Sequence, residues 1–134
     1  MKEFDDKYFI RFNFSKEQIK KNLDNALKDL RIAKDDKILE VRFNYAYTAI
    51  IKSGIALLSF YGKKAKSVPG HHVKIIEKIS EILSDVSIND IANIMRSKRN
   101  LDFYAGGIVV TEKECAEYLK FADAILNKIK KLIL

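Results

Sequence analysis

Cysteine and proline are nearly absent from this sequence. Its 134 residues contain one cysteine, one proline and five glycines. The single Cys115 excludes a disulfide framework or a cysteine-based zinc cluster within the chain, and it fits a reducing compartment. With so little proline and glycine, there is no linker or low-complexity segment at which to divide the chain. We therefore predict one domain with one hydrophobic core, which a chain of this length can build.

Signals for export and for membrane insertion are also missing. Residues 1–6 are acidic and lack the apolar segment and the small-residue cleavage site of a secretory signal. The most apolar stretch, residues 43–62, approaches membrane-spanning length but has Lys52 at its centre. A buried bundle helix explains this stretch better than a membrane span does. We expect a cytoplasmic protein with no membrane partner.

Several common catalytic motifs are not found in the sequence. It has no glycine-rich phosphate loop, no G-x-S-x-G nucleophile elbow and no H-E-x-x-H pair. The adjacent His71 and His72 would project about 100° apart on a helix, so they cannot readily share a metal ion without distant ligands. Capping or packing at the start of a helix is their expected role. We predict neither a metal site nor a cofactor.

Apolar residues recur at spacings of three and four along most of the chain, which predicts helices. Ser15 and Gln18 have the pattern of a capping box, and so do Thr111 and Glu114. The predicted helices cover residues 16–33, a segment from a cap at 35 or 36 to 61, and residues 71–84, 87–104 and 112–133. Because short connections favour antiparallel neighbours, residues 15–134 should form an all-α, up-and-down bundle of about five helices.

The N-terminal arm, residues 1–14, is the one segment with a hint of strand. Only residues 10–14 alternate apolar and polar side chains as a strand does. A lone strand has no partner for its backbone hydrogen bonds. We interpret the segment as an extended arm or a short extra helix.

A basic segment near the end of the fourth predicted helix is the most informative part of the chain. The net charge is +7, which admits anionic partners, although lysines spread over helices are also typical of a solvated face. Arg96, Asn100 and Tyr104 follow one another at four-residue spacing and share a helix face, with Lys98 and Arg99 between them. Guanidinium, amide and phenol suit contact with phosphate and nucleobase. Alternatively, the cations complement the helix dipole and Tyr104 is a core aromatic.

The order of several short motifs resembles that of HEPN-domain proteins, a family of helical domains in prokaryotic toxin, antitoxin and antiviral systems. The resemblance covers residues from about 23 to 133 and implies a HEPN-like helical bundle. It is carried by Asn44-Tyr45-Ala46-Tyr47-Thr48-Ala49, the apolar helix ending at Tyr61-Gly62, Pro69-Gly70-His71-His72, and Arg96-x-x-Arg99-Asn100-x-x-x-Tyr104 before a final amphipathic helix.

The resemblance also raises the question of catalysis. In the ribonuclease branch of that family, an Arg, a polar residue, a short spacer and a His form a metal-independent RNA-cleaving centre, usually assembled across a homodimer. Arg99 and Asn100 match the first two positions, and Tyr104 stands where the His would be. A tyrosine with a pKa of about 10 is phenolate in only about one molecule in a thousand at neutral pH, so it is a poor general base. Branches with a Tyr at this place look like binding or regulatory modules.

Three hypotheses follow from the resemblance. In the first, the chain is a non-catalytic HEPN module that dimerises through the helix carrying Arg99. It then binds RNA, a nucleotide or a partner protein with Arg96, Lys98, Arg99, Asn100, Tyr104 and His71. In the second, it is a metal-independent ribonuclease in which Arg99 stabilises the phosphorane charge while Tyr104 or His71 handles protons. In the third, it is the substrate-binding subunit of a nucleotidyltransferase and covers a nucleotide site supplied by that partner chain.

Overall fold

The computed structural model describes residues 4–107 and 109–134, and at 102–105 it describes the backbone alone. The described chain is an all-α bundle with a two-stranded ribbon, which confirms the predicted fold class. In chain order the elements are β1 (Phe9–Arg11), α1 (Lys16–Asp35), α2 (Leu39–Phe60), β2 (Lys63–Ala65), α3 (His71–Ile82), α4 (Val86–Ala105) and α5 (Glu112–Ile133).

The helix ends follow from local capping chemistry. Ser15 and Gln18 form a full capping box before α1, and Thr111 and Glu114 form another before α5, as predicted. The predicted start of α2 at residue 35 or 36 is wrong. The Asp36 carboxylate accepts a hydrogen bond from the backbone N–H of Ile38 instead, so the chain turns there and α2 begins at Leu39.

The long apolar helix α2 lies at the centre of the bundle. It packs against the other four helices and against β2. Phe43, Tyr47 and Ile50 are fully buried along it. At Gly54 the backbone approaches α3 closely, since an added Cβ would lie 2.5 Å from Ile75 Cγ2. In the described part of the chain, no helix combines the length and apolarity that a membrane crossing needs.

The N-terminal segment does have a strand partner, so the expectation of an unpaired strand is wrong. Strand β1 pairs antiparallel with β2, with Phe9 opposite Ala65 and Arg11 opposite Lys63. Phe9 is buried in the main core, which attaches the ribbon to the bundle. The partner was not recognised because β2 is lysine-rich and lacks the apolar alternation of a strand.

Candidate functional site

A cavity of about 480 Å³ lies where the start of α3 faces the middle of α4. Its walls are the loop at 67–70, the first turn of α3 with His71 and His72, and the side chains of Arg96 and Asn100. Gly70 caps α3 with φ of 84°, a left-handed conformation that glycine adopts without strain. This turn places both histidines at the groove, which is the name we use below for this cavity.

Buried Tyr47 sets the orientation of His72. The Tyr47 hydroxyl lies 3.0 Å from Nδ1 of His72. Burial raises the pKa of Tyr47 to about 12, although Arg99 and Arg96 act in the opposite direction. The phenol therefore keeps its proton at neutral pH and donates it to Nδ1. The remaining ring nitrogen of His72, Nε2, must then carry the proton of the neutral imidazole.

His72 stays neutral well below neutral pH. Burial is the main reason that its pKa falls from 6.5 to about 4, and the charges of His71, Arg99 and Arg96 lower it further. At pH 7 only about one molecule in a thousand would be protonated there. His72 therefore acts as a neutral hydrogen-bond donor through Nε2.

His71 has the opposite hydrogen-bonding character. Its Nδ1 lies 2.8 Å from the carbonyl oxygen of Val68. A carbonyl can only accept, so Nδ1 donates and the neutral ring has its lone pair on Nε2. The two imidazoles meet nearly edge to face, with centroids 4.5 Å apart. Within the described residues no group of three or more His, Cys, Asp or Glu side chains is placed to hold a metal ion.

Two arginines of α4 add positive charge beside the groove. The Arg99 guanidinium lies over the Tyr47 ring, 5.3 Å from its centroid. Arg96 donates from Nε to Oδ1 of Asn93 at 3.2 Å. Among the side chains that the structure describes, no carboxylate forms an ion pair with either arginine. The charge of this wall is therefore not neutralised by those side chains.

The structure brings together some of the predicted site residues and separates others. Arg96, Asn100 and His71 line the groove, and Arg99 lies beside it on Tyr47. Lys98 lines a different cavity along α4, with its ammonium 3.8 Å from Glu114. The side chain of Tyr104 lies outside the described residues, so its place in the site stays a prediction.

Tyr47 was not predicted as part of the site. It follows Phe43 by four residues and precedes Ile50 by three, so its position is typical of a core residue. The one available signal is chemical: a buried tyrosine needs a hydrogen-bond partner for its hydroxyl. Nothing in the sequence identifies that partner as His72, because the two residues are 25 positions apart.

No protein-family model matches this chain, and no curated protein or solved structure matches it either. Functional inference therefore depends on the groove itself. Its walls combine an arginine, an amide, a neutral imidazole donor and a second imidazole with an available lone pair. These groups suit an anionic ligand with several acceptor oxygens.

Proposed function

We propose that this chain is a HEPN-like, non-catalytic module that binds the phosphate of RNA or of a nucleotide in the groove. The observation that carries the proposal is the donor wall formed by Arg96 and His72, with no carboxylate of the described side chains paired to Arg96. The order of motifs shared with HEPN-domain proteins supports the same function.

Phosphate suits this wall better than a single carboxylate does. A guanidinium offers several N–H groups in one plane, and a phosphodiester offers two oxygens that accept such groups together. His72 adds a donor whose charge state does not change between pH 5 and pH 8, because its pKa is about 4. Binding through His72 should therefore be insensitive to pH in that range.

The chemistry of His72 argues against cleavage at this residue. A general acid or base works best with a pKa near the operating pH. His72 is neutral at pH 7 and its only free ring position carries a proton, so it serves neither role well. Tyr47, with a pKa of about 12, is no better as a base.

A metal-independent ribonuclease is the second candidate, and His71 is the reason to keep it. When neutral, His71 has a lone pair on Nε2 and lines the same groove as Arg96. A base of this kind beside a guanidinium could deprotonate a ribose 2′-hydroxyl while the arginine stabilises charge on the phosphorane.

The proposal includes a homodimer formed through α4. Ile94 and Leu101 lie seven residues apart on this helix and are 51% and 61% exposed. Asp90 and Lys98 flank Ile94 at four residues on either side and line the same cavity. A twofold axis near Ile94 would bring Asp90 of one copy towards Lys98 of the other, so the surface is complementary to itself in charge.

Fluorescence anisotropy with a labelled oligouridylate, and competition with AMP, test the proposal in chelator. Arg96→Ala should weaken binding and flatten the log–log salt dependence by about one unit for each phosphate that the variant no longer neutralises. Lys98→Ala is the matched control, because it removes the same charge from the same helix outside the groove.

The result separates the two candidates. Binding without cleavage, reduced by Arg96→Ala and not by Lys98→Ala, supports the binding module. RNA cleavage by the wild type in chelator, abolished in His71→Gln, would replace it with the ribonuclease. Failure of both RNA and AMP to bind the wild type would overturn the proposal.

A further inference from the structure

A second cavity, of about 630 Å³, lies at the open end of the ribbon. It is lined by Arg11, Phe12, Asn13, Tyr61, Gly62 and Lys63. We call it the ribbon site. It shares no lining residue with the groove, so an inference about it does not depend on the proposed function.

Like charges face each other across the ribbon at this site. Arg11 is the Cα partner of Lys63 in the antiparallel register. Residues directly opposite in a sheet have Cβ atoms about 5 Å apart, and a like-charged pair there is destabilising. Among the described side chains, no carboxylate forms an ion pair with either residue. A bound anion would relieve this repulsion.

Aromatic rings stand next to these cations. Phe12 is 40% exposed, and its ring lies 4.5 Å from that of Phe14. Phe60 is 42% exposed and meets the ring of Tyr61 edge on at 5.4 Å. The ammonium of Lys64 lies 5.4 Å from the centre of the Phe12 ring. Exposed aromatic faces beside cations are the features with which proteins hold single-stranded nucleic acid.

We propose that the ribbon site binds a single-stranded polynucleotide, with Arg11 and Lys63 on its phosphates and Phe12 stacked on a base. An acidic peptide would satisfy the cations but would leave the aromatic faces without a role. The chain also continues from Lys63 through β2 into the loop at 67–70, which lines the groove. At most about 25 Å of extended chain separates the two sites, so one strand of several nucleotides can reach both.

Anisotropy with fluorescein-labelled U15 and dT15, and with a 15-base-pair duplex, tests the ribbon site in the full chain. Phe12→Ala should weaken binding of the single strands about tenfold, since base stacking contributes on this scale. Phe12→Tyr keeps the stacking face and should retain binding. The double variant Arg11→Ala, Lys63→Ala should lower the salt slope by about two.

The matched control is Lys120→Ala with Lys130→Ala, which removes two exposed lysines from α5. A loss of affinity with the ribbon variants that exceeds the loss with this control supports the site, for U15 or for dT15. The site is overturned if the control matches the ribbon variants, or if the duplex binds as tightly as the single strands.

AMP competition separates this inference from the proposed function. AMP binding that persists while U15 and dT15 ignore the ribbon variants would end the ribbon site and leave the groove. Strand binding that depends on the ribbon, with no AMP binding and no effect of Arg96→Ala, would retain the ribbon site and end the proposed function.

Discussion

The hydroxyl of Tyr47 lies 3.0 Å from Nδ1 of His72 and connects the centre of α2 to the first turn of α3. The same phenol ring lies under the Arg99 guanidinium. Because Tyr47 is fully buried, core packing holds its hydroxyl in place. The hydrogen-bonding character of the groove is therefore determined from within the core of the bundle.

We predict that His72 is the Nε2-protonated tautomer. Long-range ¹⁵N NMR should show a bare Nδ1 and a protonated Nε2 at pH 7. Tyr47→Phe should abolish this preference and lower the free energy of unfolding by about 1 kcal/mol, because it removes one hydrogen bond. The control is Tyr45→Phe on an exposed residue of the same helix, which should change stability by less than about 0.5 kcal/mol. A proton on Nδ1 in the wild type would contradict the prediction.

His72 should make stability depend on pH between 6.5 and 4. Its pKa is 6.5 in the unfolded chain and about 4 in the fold, so in this window the unfolded state binds the extra proton. Stability is then complete above pH 6.5 and declines as pH falls towards 4. Urea unfolding of the wild type and of His72→Gln between pH 7 and pH 4 measures the difference. Parallel curves for the two proteins would count against the lowered pKa.

A buried carboxylate joins α1 to α2. Asp29 is 2% exposed and lies 2.8 Å from the Lys52 ammonium, and Thr48 donates to it at 3.0 Å. Lys52→Met should cost about 2 kcal/mol, because it leaves a buried charge with one neutral partner. The additional change Asp29→Leu should recover most of that stability.

The matched control for Lys52→Met is Lys20→Met. Lys20 pairs with Asp24 at 2.9 Å on the exposed face of α1. An exposed pair of this kind contributes about 0.5 kcal/mol at most. Chemical denaturation of the variants gives the comparison, and equal costs for the two methionine variants would show that burial of Asp29 does not govern the pair.

The α4 surface should hold two copies of the chain together. We expect light scattering to report a dimer at tens of micromolar. Ile94→Asp should produce a monomer, because it places a charge in the apolar centre of the interface. Leu132→Asp, a similar change at an exposed position on α5, should leave the dimer intact. A monomeric wild type would rule out this assembly.

The secondary structure was mostly readable from local signals. The capping boxes at Ser15 and Thr111 and the apolar spacing predicted helices that the structure contains. The failures came where local signals conflict with tertiary contacts. Lys63–Ala65 has no strand pattern, yet it pairs with Phe9–Arg11 because α2 and the bundle bring the two segments together.

The candidate site divides in the same way. Four-residue spacing by itself determined that Arg96 and Asn100 share a face of one helix, because the period of a helix is a local property. Only the tertiary structure decided that His71 and His72 face them across a groove and that Tyr47 lies behind His72. Such contacts depend on how α2, α3 and α4 pack, and the free energy of packing is summed over many residues distant in sequence.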